Sequence, residues 1–285
     1  MRTRKRKIGL FVAVSIMAVG LLTPTAMTQV YTEPVGFVRV DVVRDGLSLI
    51  SVPLMPGDKA LNGVAGCVGD MIKENLTGGG AEIASDRILK WDRGAEDYVR
   101  AFLVETGGAL PDLDGKWIDP TLLTLPDPLD WLSDMTLDTG EAFWLERKGE
   151  GEPTEEIVFL GWVNTSATTS LTLGKGLSMF SWPYPTTLAL NDSTLGLVAM
   201  GSGAEISADR VLQWDPALGD YVRAFLVDTG GALPDLDGKW IDPTLLTLPD
   251  PNDWVSDMAF APGVGCWFDR KPDDAISWVT ERPFE

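Results

Sequence analysis

The amino-acid sequence predicts a mainly β protein built from two tandem homologous modules, each an antiparallel β-sandwich or small barrel with at most short helices. A long stretch that begins at Asp97 returns almost unchanged at Asp220, with Glu105 replaced by Asp228. Short segments rich in β-branched and aromatic residues recur between Gly, Pro and Asp residues, as in antiparallel strands. The two copies are too far apart for a solenoid repeat, so the repeat unit is a whole domain or lobe.

Each copy contains its predicted strands in the same order. In the first copy they are VGFVRVDV, LSLISVP, RILKWD, YVRAFLV, AFWLER and EIVFLGWV. In the second they are LSMFSWP, RVLQWD, YVRAFLV, CWFDR and AISWVTE. The first of these alternates apolar with other residues, which is typical of a half-buried strand. The repetition predicts two copies of one fold.

Helix signals are few. One short helix is predicted within ALNGVAGCVGDMIKENL, although its glycines weaken it. One helical turn is predicted at DPTLLTL, with Asp119 as N-cap and Pro120 at the first position. The predicted units run over residues 32–159 and 160–285. No Pro-, Gly- or Ser-rich linker separates them, so we expect the two units to pack against each other.

The N-terminus has the order of a secretory signal peptide. Five basic residues in MRTRKRK precede the apolar run IGLFVAVSIMAVGLL and the small, polar segment TPTAMTQ. The apolar run is shorter than the roughly 20 residues of a membrane-spanning helix. We therefore expect residues 1–28 to be cleaved and the mature chain to be exported, without a membrane span, to the periplasm, cell surface or extracellular space.

Composition excludes several functions. The net charge is −19, and loss of the five leader cations would take it to about −24, which disfavours nucleic acid and anionic membranes as partners. The chain has no histidine, so Ser-His-Asp and Cys-His catalysis and His-ligated zinc are excluded in their usual forms. Cys67 and Cys266 are compatible with a disulfide after export, but two free buried thiols are the favoured interpretation.

The order GLSLISVP, ILKWD with YVRAF, GEAFWLER and EIVFLGWV resembles a β-rich module that occurs in tandem in exported bacterial proteins. The resemblance covers nearly the whole mature chain and implies secretion and a β-rich fold. It supplies no catalytic residues. The second copy departs from the pattern, because GVGCW replaces GEAFW and its closing strand lacks Phe-x-Gly.

Calcium is the one metal that the sequence offers a site for, and no other cofactor is expected. The loop PDLDGKWIDP spaces several carboxylates closely, as calcium prefers. The alternative is an Asp-Gly turn with solvated carboxylates. The candidate ligands are Asp112, Asp114 and Asp119 in the first copy and Asp235, Asp237 and Asp242 in the second.

Tryptophans beside these acidic loops are candidate glycan-binding residues. Flat indole rings can stack on sugar faces while nearby carboxylates accept hydroxyl hydrogen bonds. We expect Trp117 and Trp131, and their counterparts Trp240 and Trp254, to be the most exposed. The alternative is core packing, which is favoured for these loop tryptophans and more strongly for Trp91 and Trp144 inside predicted strands.

The sequence thus favours an exported, non-catalytic structural or interaction protein, whose partner is an envelope or extracellular protein or a glycan. A carbohydrate-binding module, assisted by calcium, is the alternative. A carboxylate-dependent glycoside hydrolase is the third hypothesis. Its candidate acids are Glu82, Asp86, Asp97, Glu141 and Glu146.

Overall fold

The computed structural model describes residues 34–73, 76–149 and 154–284. The predicted leader and its cleavage after residue 28 lie outside these residues. Among the described residues, no helix could span a lipid bilayer.

The first half begins at Pro34 and folds mainly into strands. Their bounds are β1 (Val35–Val43), β2 (Leu47–Ser51), β3 (Arg87–Asp92), β4 (Asp97–Leu103), β5 (Trp117–Ile118), β6 (Ala142–Glu146) and β7 (Thr154–Trp162). One helix, α1 (Val68–Lys73), lies between β2 and β3, within the segment predicted to be helical. Short 3-10 turns span Glu82–Ala84, Pro120–Leu122 and Pro128–Trp131.

The second half repeats this order and adds two short strands, Leu188–Ala189 and Ala259–Phe260, which pair with each other. Its strands are β8 (Thr168–Leu173), β9 (Gly176–Ser181), β10 (Leu188–Ala189), β11 (Arg210–Asp215), β12 (Asp220–Leu226), β13 (Trp240–Ile241), β14 (Ala259–Phe260), β15 (Gly265–Arg270) and β16 (Ile276–Glu281). Its 3-10 turns span Leu190–Asp192, Thr194–Leu197, Glu205–Ser207, Pro243–Leu245 and Pro251–Trp254.

Both halves have the same sheet topology. Sheet 1 has the order β2-β6-β3-β4-β5, and sheet 2 has the corresponding order β9-β15-β11-β12-β13. A separate antiparallel two-stranded ribbon accompanies each sheet: ribbon 1 is β1 with β7, and ribbon 2 is β8 with β16. The predicted mainly β fold is confirmed. The sheets of the described residues form layers, and none of them closes into a barrel.

The two ribbons locate the division between the halves. The expected boundary between residues 159 and 160 falls inside β7, which ends at Trp162. The next strand, β8, pairs with β16 as β1 pairs with β7. The segment LGWV is therefore the end of ribbon 1. The first strand of the second half is TTSLTL, whose few apolar residues make it hard to recognise as a strand from the sequence.

A hydrophobic core lies between the ribbon and the sheet of each half. In the first half, Val40 and Phe159 of ribbon 1 face Ile88 and Phe143 of sheet 1. In the second half, Trp278 of ribbon 2 faces Phe180 and Phe268 of sheet 2. Each half is thus a small two-layer sandwich.

The opposite faces of the two sheets pack against each other through aromatic side chains, which we call the aromatic clasp. It consists of Trp91, Tyr98 and Trp144 from sheet 1 and Trp214, Tyr221 and Trp267 from sheet 2. The ring centroids of Trp91 and Trp267 are 5.8 Å apart, and those of Trp144 and Trp214 are 5.6 Å apart, both edge to face. The expected packing of the two units is therefore observed.

Backbone hydrogen bonds between the halves are reciprocal. The N–H of Ser51 donates to the carbonyl of Gly263 at 2.9 Å, and the equivalent N–H of Ser181 donates to that of Gly140 at 2.8 Å. The halves are therefore related by a pseudo-two-fold axis, like the subunits of an isologous dimer. The order of layers is ribbon 1, sheet 1, sheet 2, ribbon 2.

Both cysteines are free and buried, as favoured from the sequence. Cys266 lies in the second core, where burial raises the pKa of its thiol to about 12. Cys67, close to α1, donates its thiol hydrogen to the carbonyl of Leu61. The thiols serve as packing groups of their separate halves.

Candidate interaction surface

The acidic loops use their carboxylates to organise their own backbone. Asp114 accepts hydrogen bonds from the hydroxyl and the N–H of Thr106, both at 2.6 Å, and from the N–H of Gly108 at 2.9 Å. The bonds from Thr106 hold the pKa of Asp114 below its ordinary value. Asp237 makes the same contacts in the second half, with the same effect on its pKa.

Asp119 and Asp242 cap 3-10 turns, as predicted for Asp119. Each side chain accepts from the backbone N–H two residues later, at 2.8 Å. Asp112 and Asp235 are exposed. Among the described residues, no group of three or more acidic, Cys or His side chains could hold a metal ion. Calcium binding stays a prediction, with no assembled ligand set in these loops.

Trp117 and Trp240 are buried core residues, contrary to the expected exposure. Each is 1% exposed. Asn62 fixes the Trp117 backbone by accepting from its N–H at 2.8 Å and donating to its carbonyl at 2.7 Å. Asn191 holds Trp240 in the same way. A sugar cannot stack on either indole.

Trp131 and Trp254 are half-buried and pinned at their edges. Their indole N–H groups donate to the carbonyls of Leu125 and Leu248, both at 3.0 Å. Each ring packs on a small apolar cluster of its own half. Of the four candidate glycan-binding tryptophans, only Trp131 and Trp254 are exposed enough to remain candidates.

The carboxylates considered for hydrolysis are engaged in structural contacts. Asp86 is fully buried and pairs with Arg147 at 2.8 Å, while Asp97 accepts from the backbone N–H of Tyr98. The other three, Glu82, Glu141 and Glu146, form ion pairs with Arg or Lys side chains of sheet 1. These contacts give all five carboxylates a structural role.

The outer face of ribbon 1 carries a contiguous apolar surface, which we call the apolar strip. Its members are Val35 (62% exposed), Phe37 (65%), Val158 (43%), Leu160 (62%) and Trp162 (40%). Val35 lies opposite Trp162, and Phe37 lies opposite Leu160. Directly opposed residues of an antiparallel pair point to the same face, so the five side chains form one surface.

The equivalent face of ribbon 2 is mostly polar. The strand registers match Val35 with Thr168, Phe37 with Ser170 and Val158 with Ser277. They also match Trp162 with Glu281, and leave Val279 as the counterpart of Leu160. Fold and topology are the same in both ribbons, so an apolar outer face is not a requirement of this fold.

Sequence reasoning did not identify the apolar strip. The signal was present, because VGFV and VFLGW are apolar at successive positions and TTSLTL is not. However, β1 and β7 lie more than a hundred residues apart, and only their register shows that the two outward rows adjoin.

The fold and this face together define a duplicated β-sandwich protein with one apolar outer layer. Comparison of the chain with protein-family models, with curated proteins and with solved structures finds no match.

Proposed function

We propose that this chain is an exported, non-catalytic structural or interaction protein of the cell envelope or extracellular space, and that the apolar strip is its contact surface. The observation that carries the proposal is the difference between the two ribbons. Exposed apolar patches of several side chains mark interaction sites more often than scattered surface residues do. The outer face of ribbon 2 is the comparison within the same chain, because it has the same fold and is mostly polar.

The rigid organisation of the molecule supports a binding role. The strip lies on a regular ribbon whose other face is anchored in the first core through Val40, Ile157 and Phe159. Its outward side chains are therefore presented in fixed positions, and little conformational entropy is lost when a partner covers them. Export is supported by the leader-like N-terminus.

Site-specific crosslinking in living cells tests this proposal. The chain is expressed with its own N-terminal segment, and a photoreactive phenylalanine analogue replaces Phe37 or, as matched control, Ser170. We expect covalent adducts at position 37. At position 170 the adduct yield should be at least about tenfold lower, because only position 37 lies in the apolar strip. Intact mass of the purified chain reports whether the leader has been removed.

Two outcomes contradict the proposal. One is equal adduct yield at both positions, since the strip would then be no special contact surface. The other is a chain that retains its leader and fractionates with the cytoplasm.

A further inference from the structure

We propose that the apolar strip is covered by the same strip of a second copy of this chain, so that ribbon 1 is the interface of a two-fold dimer. This inference rests on the proposed function, because it names the partner of the contact surface. Four features of the molecule support a second copy as the occupant.

The first feature is shape. Ribbon 1 is a regular antiparallel pair over its full length, from Val35 opposite Trp162 to Val43 opposite Thr154. Regular β surfaces stack face to face with interdigitating side chains. A two-fold axis through the strip brings each apolar row onto the same rows of the other copy, which makes the contact isologous.

The second feature is charge. The chain carries a net charge of −19, yet the strip contains no carboxylate. On the same face, Arg39 lies opposite Val158 and forms an ion pair with Glu156 at 3.3 Å, while Asp41 lies opposite Glu156. The strip is thus a nearly neutral part of a strongly acidic molecule, where two copies can approach with little local repulsion.

The third feature is area. Large aromatic side chains offer roughly 200 Å² each and aliphatic ones somewhat less, so two strips, at the observed exposures, would bury on the order of 1,000 Å² in total. Specific interfaces begin at about this size. We expect a dimer with a Kd in the micromolar range, on the order of 10 μM.

The fourth feature is the way the chain already packs. Sheets 1 and 2 meet face to face through the aromatic clasp, under a pseudo-two-fold axis. A dimer through ribbon 1 would continue the same stacking of β layers, with the order of layers running through both copies. The polar face of ribbon 2 would end the stack on either side.

Sedimentation analysis of the exported, processed chain tests the inference. Its mass is measured between about 1 and 100 μM, where interfaces of this size associate. The test variant carries Val35→Thr, Phe37→Ser and Val158→Ser, which copies the outward residues of ribbon 2 without changing the charge. Val279→Ser, on ribbon 2, is the matched control.

We expect the wild type and Val279→Ser to sediment as a concentration-dependent dimer, and the copied variant to dimerise at least about tenfold more weakly. Because ribbon 2 folds with the copied residues at these places, the variant should unfold at the same temperature as the wild type when both are measured well below the Kd of the dimer, where association adds no stability. This separates a lost interface from a lost fold.

The reverse change gives a gain of function. Thr168→Val with Ser170→Phe and Ser277→Val builds a second apolar strip on ribbon 2. A chain with strips on both outer layers should form assemblies larger than dimers, because each copy then has two self-complementary faces. Assemblies no larger than those of the wild type would count against the inference.

Salt separates a second copy from a basic partner. Two copies of one acidic chain repel each other at long range, so raising the salt concentration should tighten the dimer. A wild-type chain that stays monomeric throughout overturns the inference. If position 37 nevertheless forms adducts with a different protein in cells, the proposed function stands and only the identity of the partner is wrong. If neither dimers nor adducts form, both fail.

Discussion

The two cores of this protein fill the same space with different side chains. In the first half, the core is largely aliphatic, and α1 contributes Val68 and Ile72 to it. In the second half, the corresponding core is built around aromatic rings. These are Phe180, Trp182, Tyr184, Phe260, Phe268 and Trp278.

This difference shows what the duplicated sheets require of their surroundings. Interiors pack at the density of organic crystals, so the volume between sheet and ribbon has to be filled by some combination of groups. The first half uses a helix and aliphatic residues. The described part of the second half has short 3-10 turns at Leu190–Asp192 and Thr194–Leu197 in that region, together with larger rings. The two sheets have the same strand order, whereas the side chains that fill the two cores differ.

The largest expected effect comes from truncating the ring that marks this difference. Trp278 on β16 occupies the place of Phe159 on β7, and its ring lies 5.7–6.0 Å from those of Phe180, Trp182 and Phe260. We expect Trp278→Ala to lower the free energy of unfolding by about 5 kcal/mol and Phe159→Ala by about 3 kcal/mol.

Urea unfolding followed by circular dichroism measures both losses. The exposed neighbour Val279→Ser is the control and should change stability little. Equal losses for the two core variants would show that the aromatic and aliphatic cores are energetically equivalent, contrary to our expectation.

The buried ion pairs should give an intermediate effect that is equal in the two halves. Asp86 pairs with Arg147, and Asp209 pairs with Arg270, each at 2.8 Å. Each carboxylate also accepts two backbone N–H groups. We expect Asp86→Ala and Asp209→Ala each to cost about 3–4 kcal/mol, because a buried guanidinium loses one of its two carboxylate partners and two backbone N–H groups lose their acceptor.

Thermal unfolding of both variants, beside Lys175→Ala, checks this expectation. The pair formed by Lys175 and Asp273 is exposed, and its loss should leave the melting temperature unchanged. A large effect for one buried pair and none for the other would break the equivalence of the halves.

The smallest effect is expected at a hairpin turn. Glu96 joins β3 to β4 with φ of +51°, and its counterpart between β11 and β12 is Gly219, with φ of +64°. Side chains are strained in this left-handed region. We expect Glu96→Gly to stabilise the protein by about 0.5 kcal/mol and Gly219→Ala to destabilise it by about 1 kcal/mol.

Ala95→Gly provides the control, since it adds chain freedom at a residue whose φ is not positive. It should destabilise slightly. If Glu96→Gly did the same in equilibrium unfolding, strain at this turn would be excluded.

Local patterns predicted much of the fold. RILKWD coincides with β3, and Asp119 caps a turn that begins at Pro120. These elements are determined by residues close together in the chain, such as a short run of β-branched, aliphatic and aromatic residues or a side-chain oxygen beside a free N–H. The same holds for the repeat, which is visible as identity along the chain.

Contacts between distant segments could not be predicted. The Asp-rich sequence around Trp117 indicated an exposed loop, yet Trp117 is held by Asn62 and lies on a two-residue strand beside β4. The apolar strip likewise depends on the register of β1 with β7. Periodicity reports which face of a strand is apolar, but it does not report which two strands adjoin.

The aromatic clasp also gives the molecule an optical property. Trp91 meets Trp267, and Trp144 meets Trp214, at short range and at steep angles between their planes. Indole transitions so close and so inclined exchange excitation, and the coupling vanishes when the rings separate. The native chain thus contains its own spectroscopic signal for the joining of its two sheets, readable without any attached label.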